Sequence, residues 1–165
     1  MEGSTELIIT YLLTWSVIGF ALFCVYVVFV FRTGLVYTAR KADGTLKKKV
    51  PLSGVLNMLA FLCGIVGLQV LANYTGLKRQ GITLTFWGLV LLNYAHYFIL
   101  FILDTLIIDG LVLSCWRPGF LKLPDAMGCE SMKKHMLVSL PVGLLAGGLL
   151  VLLSTGIAYL AFFAG

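Results

Sequence analysis

The sequence predicts an all-α, polytopic integral membrane protein: a four-transmembrane-helix bundle whose third helix is long and bent or broken near Gly110. Three observations lead there. Of the 165 residues, 60% are hydrophobic and 12% charged, whereas a soluble domain carries about 25% charged residues. The charges are segregated: Asp, Glu, Lys and Arg are absent from residues 7–31, 50–77, 80–103 and 135–165. Each of those runs exceeds the roughly 20 residues that a helix needs to cross a hydrocarbon core of about 30 Å. The runs are also continuously apolar, unlike the alternating segments of about ten residues that make barrel strands. In lipid a helix satisfies its own backbone hydrogen bonds and an open strand does not. Four spans in this length imply a single membrane domain covering residues 1–165, with no separate soluble domain.

The first span is placed at residues 7–31. Its leading segment is acidic (Glu2, Glu6), and its length exceeds the 7–15 residues of a signal-peptide core, which also follows a basic segment. It therefore reads as a retained helix. The loop 32–50 follows, with Arg32, Arg40, Lys41, Lys47, Lys48 and Lys49 around the turn signal Asp43-Gly44. Pro51 opens the second span, 51–73, because proline in a first helical turn removes only an amide that would be unpaired anyway. The short loop 74–81 holds Lys78 and Arg79, and the third span is placed at 82–104. The loop 115–136 holds Arg117, Lys122, Lys133 and Lys134. The fourth span, 139–163, has Pro141 near its start.

These loop charges predict orientation. With loops 32–50 and 115–136 in the cytoplasm, ten cationic residues lie inside and two outside. The positive-inside rule then makes this a multi-pass cell-membrane protein with both termini extracytoplasmic. The net charge of +5 is thus an orientation signal, and no nucleic-acid partner is expected. The expected surroundings are the lipid bilayer, with a homo-oligomer or a membrane partner subunit as the protein contacts. Asn73-Tyr74-Thr75 matches a glycosylation acceptor on the outer side and is read as a chance match.

The third run is too long. Residues 81–116 number 36 and would extend about 54 Å as one straight α-helix, yet they are too few for two spans. The expectation is a break or bend between Asp104 and Gly110, with Trp116-Arg117-Pro118 as interfacial anchor and stop.

That run also carries the acidic groups and the histidine that this chain places within its apolar stretches, and such groups in lipid are costly and often functional. At about 100° per residue, Asn93, His96, Tyr97 and Asp104 share an arc of roughly 100°. They are the candidate polar transport site. His96 titrates near physiological pH, Asp104 would accept its proton or a cation, and Asn93 and Tyr97 would hydrogen-bond nearby. The competing reading is a satisfied pair, with Asp104 bound to a loop cation and His96 bonded to a neighbouring helix. Asp109, Arg117 and Lys122 are secondary candidates. On a regular helix Asp109 lies about 140° from Asp104, so the two carboxylates are not expected to converge unless the helix breaks.

Ala60-x-x-x-Gly64 and Gly143-x-x-x-Gly147 are small-xxx-small patterns, expected to pack helices inside the bundle. Asn57 and Gln69 are read as interhelical hydrogen-bonders. The four cysteines are scattered and form no disulfide framework or metal-ligand pair. No zinc-protease, dinucleotide or phosphate-loop motif occurs, and the loop residues Asp125, Cys129, Glu130 and His135 read as a solvated surface. No catalytic residue, metal or cofactor is assigned. Three functions remain. The preferred one is transport of protons, a cation or a small solute. The others are an accessory or assembly subunit of a membrane complex, and an intramembrane enzyme acting on a lipid or lipid-linked substrate at the inner leaflet. In the last, Asp104, Asp109 and His96 would supply acid–base groups and Arg117 and Lys122 would hold an anionic headgroup. An enzyme is the lesser expectation.

Overall fold

The computed structural model describes residues 2–36, 48–123 and 129–164. The loop residues Arg40, Lys41, Asp43, Gly44, Lys47 and Asp125 lie outside the described residues, as do the side chains of Cys129, Glu130, Lys133, Lys134 and His135. Among the described residues every regular element is helical. Four helices are long and apolar enough to cross a membrane: α1 (Glu2–Arg32), α2 (Leu52–Gly76), α3 (Phe86–Leu103) and α4 (Cys129–Phe162). Their outward faces carry exposed large apolar side chains such as Val17, Leu71, Leu91, Leu149 and Leu160. Water would not tolerate so much apolar surface, whereas lipid does.

Helix ends follow local chemistry. The Pro51 carbonyl accepts from the N–H groups of Gly54 (2.9 Å) and Val55 (3.1 Å), so proline stands just before the first turn of α2. Beyond α2 the chain makes a 3₁₀ turn at Lys78–Gln80, closed by Gly81 at φ 73°, a left-handed conformation that suits glycine. Thr85 caps α3: its Oγ1 accepts from the Gly88 N–H at 3.2 Å and its carbonyl from the Leu89 N–H at 2.9 Å. The third helix therefore starts at Phe86, four residues after the expected 82. The fourth starts at Cys129, ten residues before the expected 139, so Pro141 lies inside α4 and not at its start. There it removes one intrahelical bond, because it has no N–H to offer the carbonyl four residues back.

The excess length of the third run is not relieved by a break at Gly110. The chain stays helical from Phe86 to Trp116, and the winding changes at Asp104: Asp104–Trp116 is a π-helix, with bonds from residue i+5 to residue i. The Arg117 N–H donates to the Val112 carbonyl at 2.8 Å and closes it. Gly110 suits this winding, because a Cβ there would sit 3.3 Å from the Thr105 carbonyl oxygen, five residues earlier. Alanine at Gly110 is therefore expected to favour the α-helical alternative, read as a change in cross-linking pattern between cysteines introduced along this segment.

The chain divides into two compact units. The first comprises Met1–Gly19, Leu62–Leu100 and Leu144–Gly165. Its apolar core is Tyr11, Ala72, Leu77, Leu89, Leu92 and Ala158, drawn from every helix. Backbones approach closely there. A Cβ on Gly76 would stand 2.7 Å from the Trp15 and Tyr11 rings, and one on Gly147 would stand 2.0 Å from the Tyr97 ring. The second unit comprises Phe20–Phe61 and Phe101–Gly143, with Val27, Phe31, Ile108, Leu113 and Leu121 as its core. In it Tyr26 stacks on Phe61 at 5.2 Å and donates to Asn57 Oδ1 at 3.1 Å, and Gly143 faces the Phe101 ring.

Gly143 and Gly147 thus lie against the Phe101 and Tyr97 rings. Ala60 and Gly64 are exposed, and a Cβ on Gly64 or Gly67 would meet nothing within 4 Å. Among the described residues no neighbouring helix covers that face of α2.

Candidate functional site

The first unit buries a set of uncharged polar side chains, and each of the four helices contributes to it. Buried in the packed unit, these groups have no water to turn to, so each must find a partner or remain costly. Tyr11 of α1 is the hub. Its hydroxyl lies 3.0 Å from Asn73 Oδ1 of α2 and 3.3 Å from Asn93 Oδ1 of α3. Asn93 Nδ2 donates to Thr155 Oγ1 of α4 at 2.9 Å, and Gln69 Nε2 of α2 donates to the Asn93 carbonyl at 3.1 Å. Ser154 Oγ of α4 donates to Gln69 Oε1. Asn73, Asn93 and Thr155 are wholly buried.

His96 stands three residues beyond Asn93, on the same face of α3. It is wholly buried, with its ring edge-on to Tyr11 at 6.1 Å and 67°. Neither ring nitrogen has a hydrogen-bond partner among the described residues; the Trp15 backbone approaches the ring without reaching hydrogen-bond geometry. Two further buried atoms share this condition, Ser16 Oγ and Asn73 Nδ2. Within this unit α1 and α3 run alongside in the same direction: Tyr11 bonds Asn93 and Gly19 packs on Leu100. Ser16 therefore falls near the level of His96, while its place five residues after Tyr11 sets it about 140° around α1 from that hub.

Of the expected stripe, Asn93, His96 and Tyr97 belong to the first unit and Asp104 to the second. Asn93 and His96 belong to the buried cluster. Tyr97 lies against Gly147, with its ring 6.3 Å from that of Tyr94. Asp104 belongs to the second unit, where it lies within electrostatic reach of Asp109 and Cys24. The expectation that Asp104 and Asp109 diverge is corrected by the π winding, since a bond from i+5 to i brings residues five apart onto one face. In the same segment Ser114 Oγ donates to the Asp109 carbonyl at 2.6 Å. Arg117 (φ 46°) and Lys122 (φ 51°) each adopt a left-handed conformation, unusual without glycine. Each caps a helical turn, Lys122 donating its N–H to the Gly119 carbonyl at 3.3 Å. Pro118 and Leu121 are buried between them, while Trp116 and Phe120 are exposed.

Attention to ionisable groups alone misses Tyr11, Ser16, Ser154 and Thr155. The available signal was the position of hydroxyl and amide residues inside charge-free runs, because these too need partners in lipid. Gln69 and Asn57 serve as interhelical bonders, as their positions implied. Asn73 is a structural amide, wholly buried and bonded to Tyr11. Expression in a glycosylating host is accordingly expected to give no endoglycosidase-sensitive shift at Asn73. Tyr11→Phe removes the one proton offered to two amides. It is expected to cost about 0.6 kcal/mol, the average for an interhelical bond in a membrane, and at most about 1.7, read by denaturant titration in detergent micelles. Among the described residues no group of three or more His, Cys, Asp or Glu side chains is arranged to hold a metal ion. Comparison with protein-family models, with curated proteins and with solved structures finds no match for this chain.

Proposed function

We propose that the protein transports protons, a cation or a small solute across a cell membrane, with the buried polar cluster around His96 as the point of passage. The observation that carries this reading is the imidazole itself, wholly buried with both nitrogens unpartnered among the described residues. A buried polar group left unsatisfied costs about 1–3 kcal/mol, and an apolar side chain of similar size would avoid that cost. Retention of such a group fits a task better than packing. The loop charges support the expected orientation, with both termini extracytoplasmic. Tyr11, Asn73 and Asn93 then lie toward the outer side.

The test is flux in proteoliposomes. Wild-type protein is expected to exceed protein-free vesicles for at least one of these species, and His96→Leu to lose the excess. No excess with folded wild-type protein would end the reading. Asp104→Asn asks a narrower question: loss of pH-dependent flux would join the acidic pair to the same path.

One observation favours a second reading, that of an enzyme on a lipid or lipid-linked substrate at the inner leaflet: Asp104 and Asp109 share a face. Its weakness is His96, whose described neighbours are Tyr11 and the Trp15 backbone and not a carboxylate. Mass spectrometry of lipid extracts after incubation with wild type and Asp104→Asn tests it. A role as an assembly subunit draws on the open face of α2. Cys63, exposed beside Gly64, would report a symmetric contact there by oxidative cross-linking.

A further inference from the structure

Five cations gather at one end of the second unit. Tyr26 of α1 bonds Asn57 of α2 at 3.1 Å, and Phe23 and Tyr26 both lie on the Phe61 ring, at 5.9 and 5.2 Å. The two helices run antiparallel there, so Arg32, six residues beyond Tyr26, falls at the level of Pro51, six before Asn57. Lys48 and Lys49 stand just before that proline. Phe31 shares a buried cluster with Ile108, Leu113 and Leu121. Arg32 adjoins Phe31, Lys122 adjoins Leu121, and Arg117 closes the π segment four residues after Leu113. Arg32, Lys48, Lys49 and Lys122 are exposed and Arg117 is half-buried. The acids among the described side chains of this unit are Asp104 and Asp109, so three cations remain even if each carboxylate holds one.

We propose that this end of the unit binds an anionic phospholipid, with its phosphate among the cations and an acyl chain along the exposed face of the π segment. The inference does not depend on transport, and the lipid is a bound partner here and not a substrate.

The winding supplies the second half of the argument. Leu106, Leu111 and Trp116 are spaced five apart, the period that a π-helix brings onto one face, and each is more than half exposed. An apolar stripe therefore runs down the segment and ends in an indole beside the cations. Phe120 is exposed as well. Indole rings are amphipathic and settle at the headgroup level, and cations beside a bilayer draw anionic lipid. A soluble acidic protein would match the charges and leave the stripe uncovered; a phospholipid matches both. The shape is also fixed. Arg117 and Lys122 hold left-handed conformations, costly for residues with a Cβ, and Pro118 and Leu121 are buried between them. Charge that only set orientation would need no such fixed turn.

Trp116 is the tryptophan of this unit, since Trp15 and Trp87 belong to the first. Its fluorescence, isolated as the difference between wild type and Trp116→Phe, is measured in phosphatidylcholine vesicles doped with brominated phosphatidylglycerol or with brominated phosphatidylcholine. Bromine on an acyl chain quenches at contact. The anionic lipid is expected to quench more at equal mole fraction. Lys122→Gln and the pair Lys48→Gln and Lys49→Gln should each weaken that preference, by about fivefold in relative affinity per cation removed. All three side chains are exposed, and unchanged quenching by the zwitterionic lipid checks that the variants keep their fold. Equal quenching by the two lipids in wild type would overturn the proposal, as would a preference that survives the charge variants. Trp116 shielded from both lipids and from aqueous acrylamide would show a protein covering this face, and would overturn it too.

Discussion

Alanine at Gly147 is expected to destabilise the protein at or beyond the top of the about 1–3 kcal/mol range for overpacking, whereas alanine at Gly64 is expected to be neutral or stabilising. A Cβ on Gly147 would stand 2.0 Å from the Tyr97 ring, while one on Gly64 would meet nothing within 4 Å. No rotation of an alanine methyl relieves the first contact, so either α4 or the ring must move within a packed interior. At Gly64 the substitution only exchanges a residue of poor helix propensity for the best, a difference of about 1 kcal/mol. Thermal melts of both variants in the same detergent read the contrast directly. Equal effects at the two positions would mean that Gly64 is covered, by a second copy or by another protein. Tyr97→Ala should rescue Gly147→Ala in a double-mutant cycle, because removal of the ring removes the clash.

The second large effect has the opposite sign for stability and function. His96→Leu is expected to raise stability by about 1–3 kcal/mol, the cost of leaving a buried polar group unpaired, while flux is lost. Asn93→Leu should do the reverse to stability. Asn93 accepts from Tyr11 and donates to Thr155, so its loss strands the Thr155 hydroxyl while Tyr11 keeps Asn73. The two residues are three apart on one helix and equally buried, and only their bonding differs. Denaturant titration of both, with wild type as reference, separates them. A His96→Leu protein less stable than wild type would show that the imidazole is satisfied in place, by the Trp15 backbone or by something bound.

Much of the architecture was legible because lipid imposes simple rules. Charge-free runs longer than a bilayer core specify four helices, and Pro51 marks a real boundary. Two features were not legible. Pro141 reads as a start signal, but the helix continues upstream through residues with no apolar periodicity to announce it. The π winding at Asp104 has no sequence signature beyond excess length and Gly110, and it alone decides whether Asp104 and Asp109 share a face. Of the candidate site, Asn93 and His96 were visible as polar groups in an apolar run. Their partners Tyr11, Asn73, Ser154 and Thr155 lie 62 or more residues from Asn93 or from the side chain each bonds, and only packing brings them together. Ala60 and Gly64 show the converse: a recognisable spacing that the fold leaves open.

The change of winding within the third helix has a consequence for how its residues vary together. Above Leu103 positions three and four apart look out on the same neighbours, whereas beyond it positions five apart do. A tryptophan or cysteine scan down this helix should therefore show its rhythm of tolerance lengthen at Asp104. An added or deleted residue on one side of that point would swing the carboxylates to a new azimuth and leave the imidazole where it is.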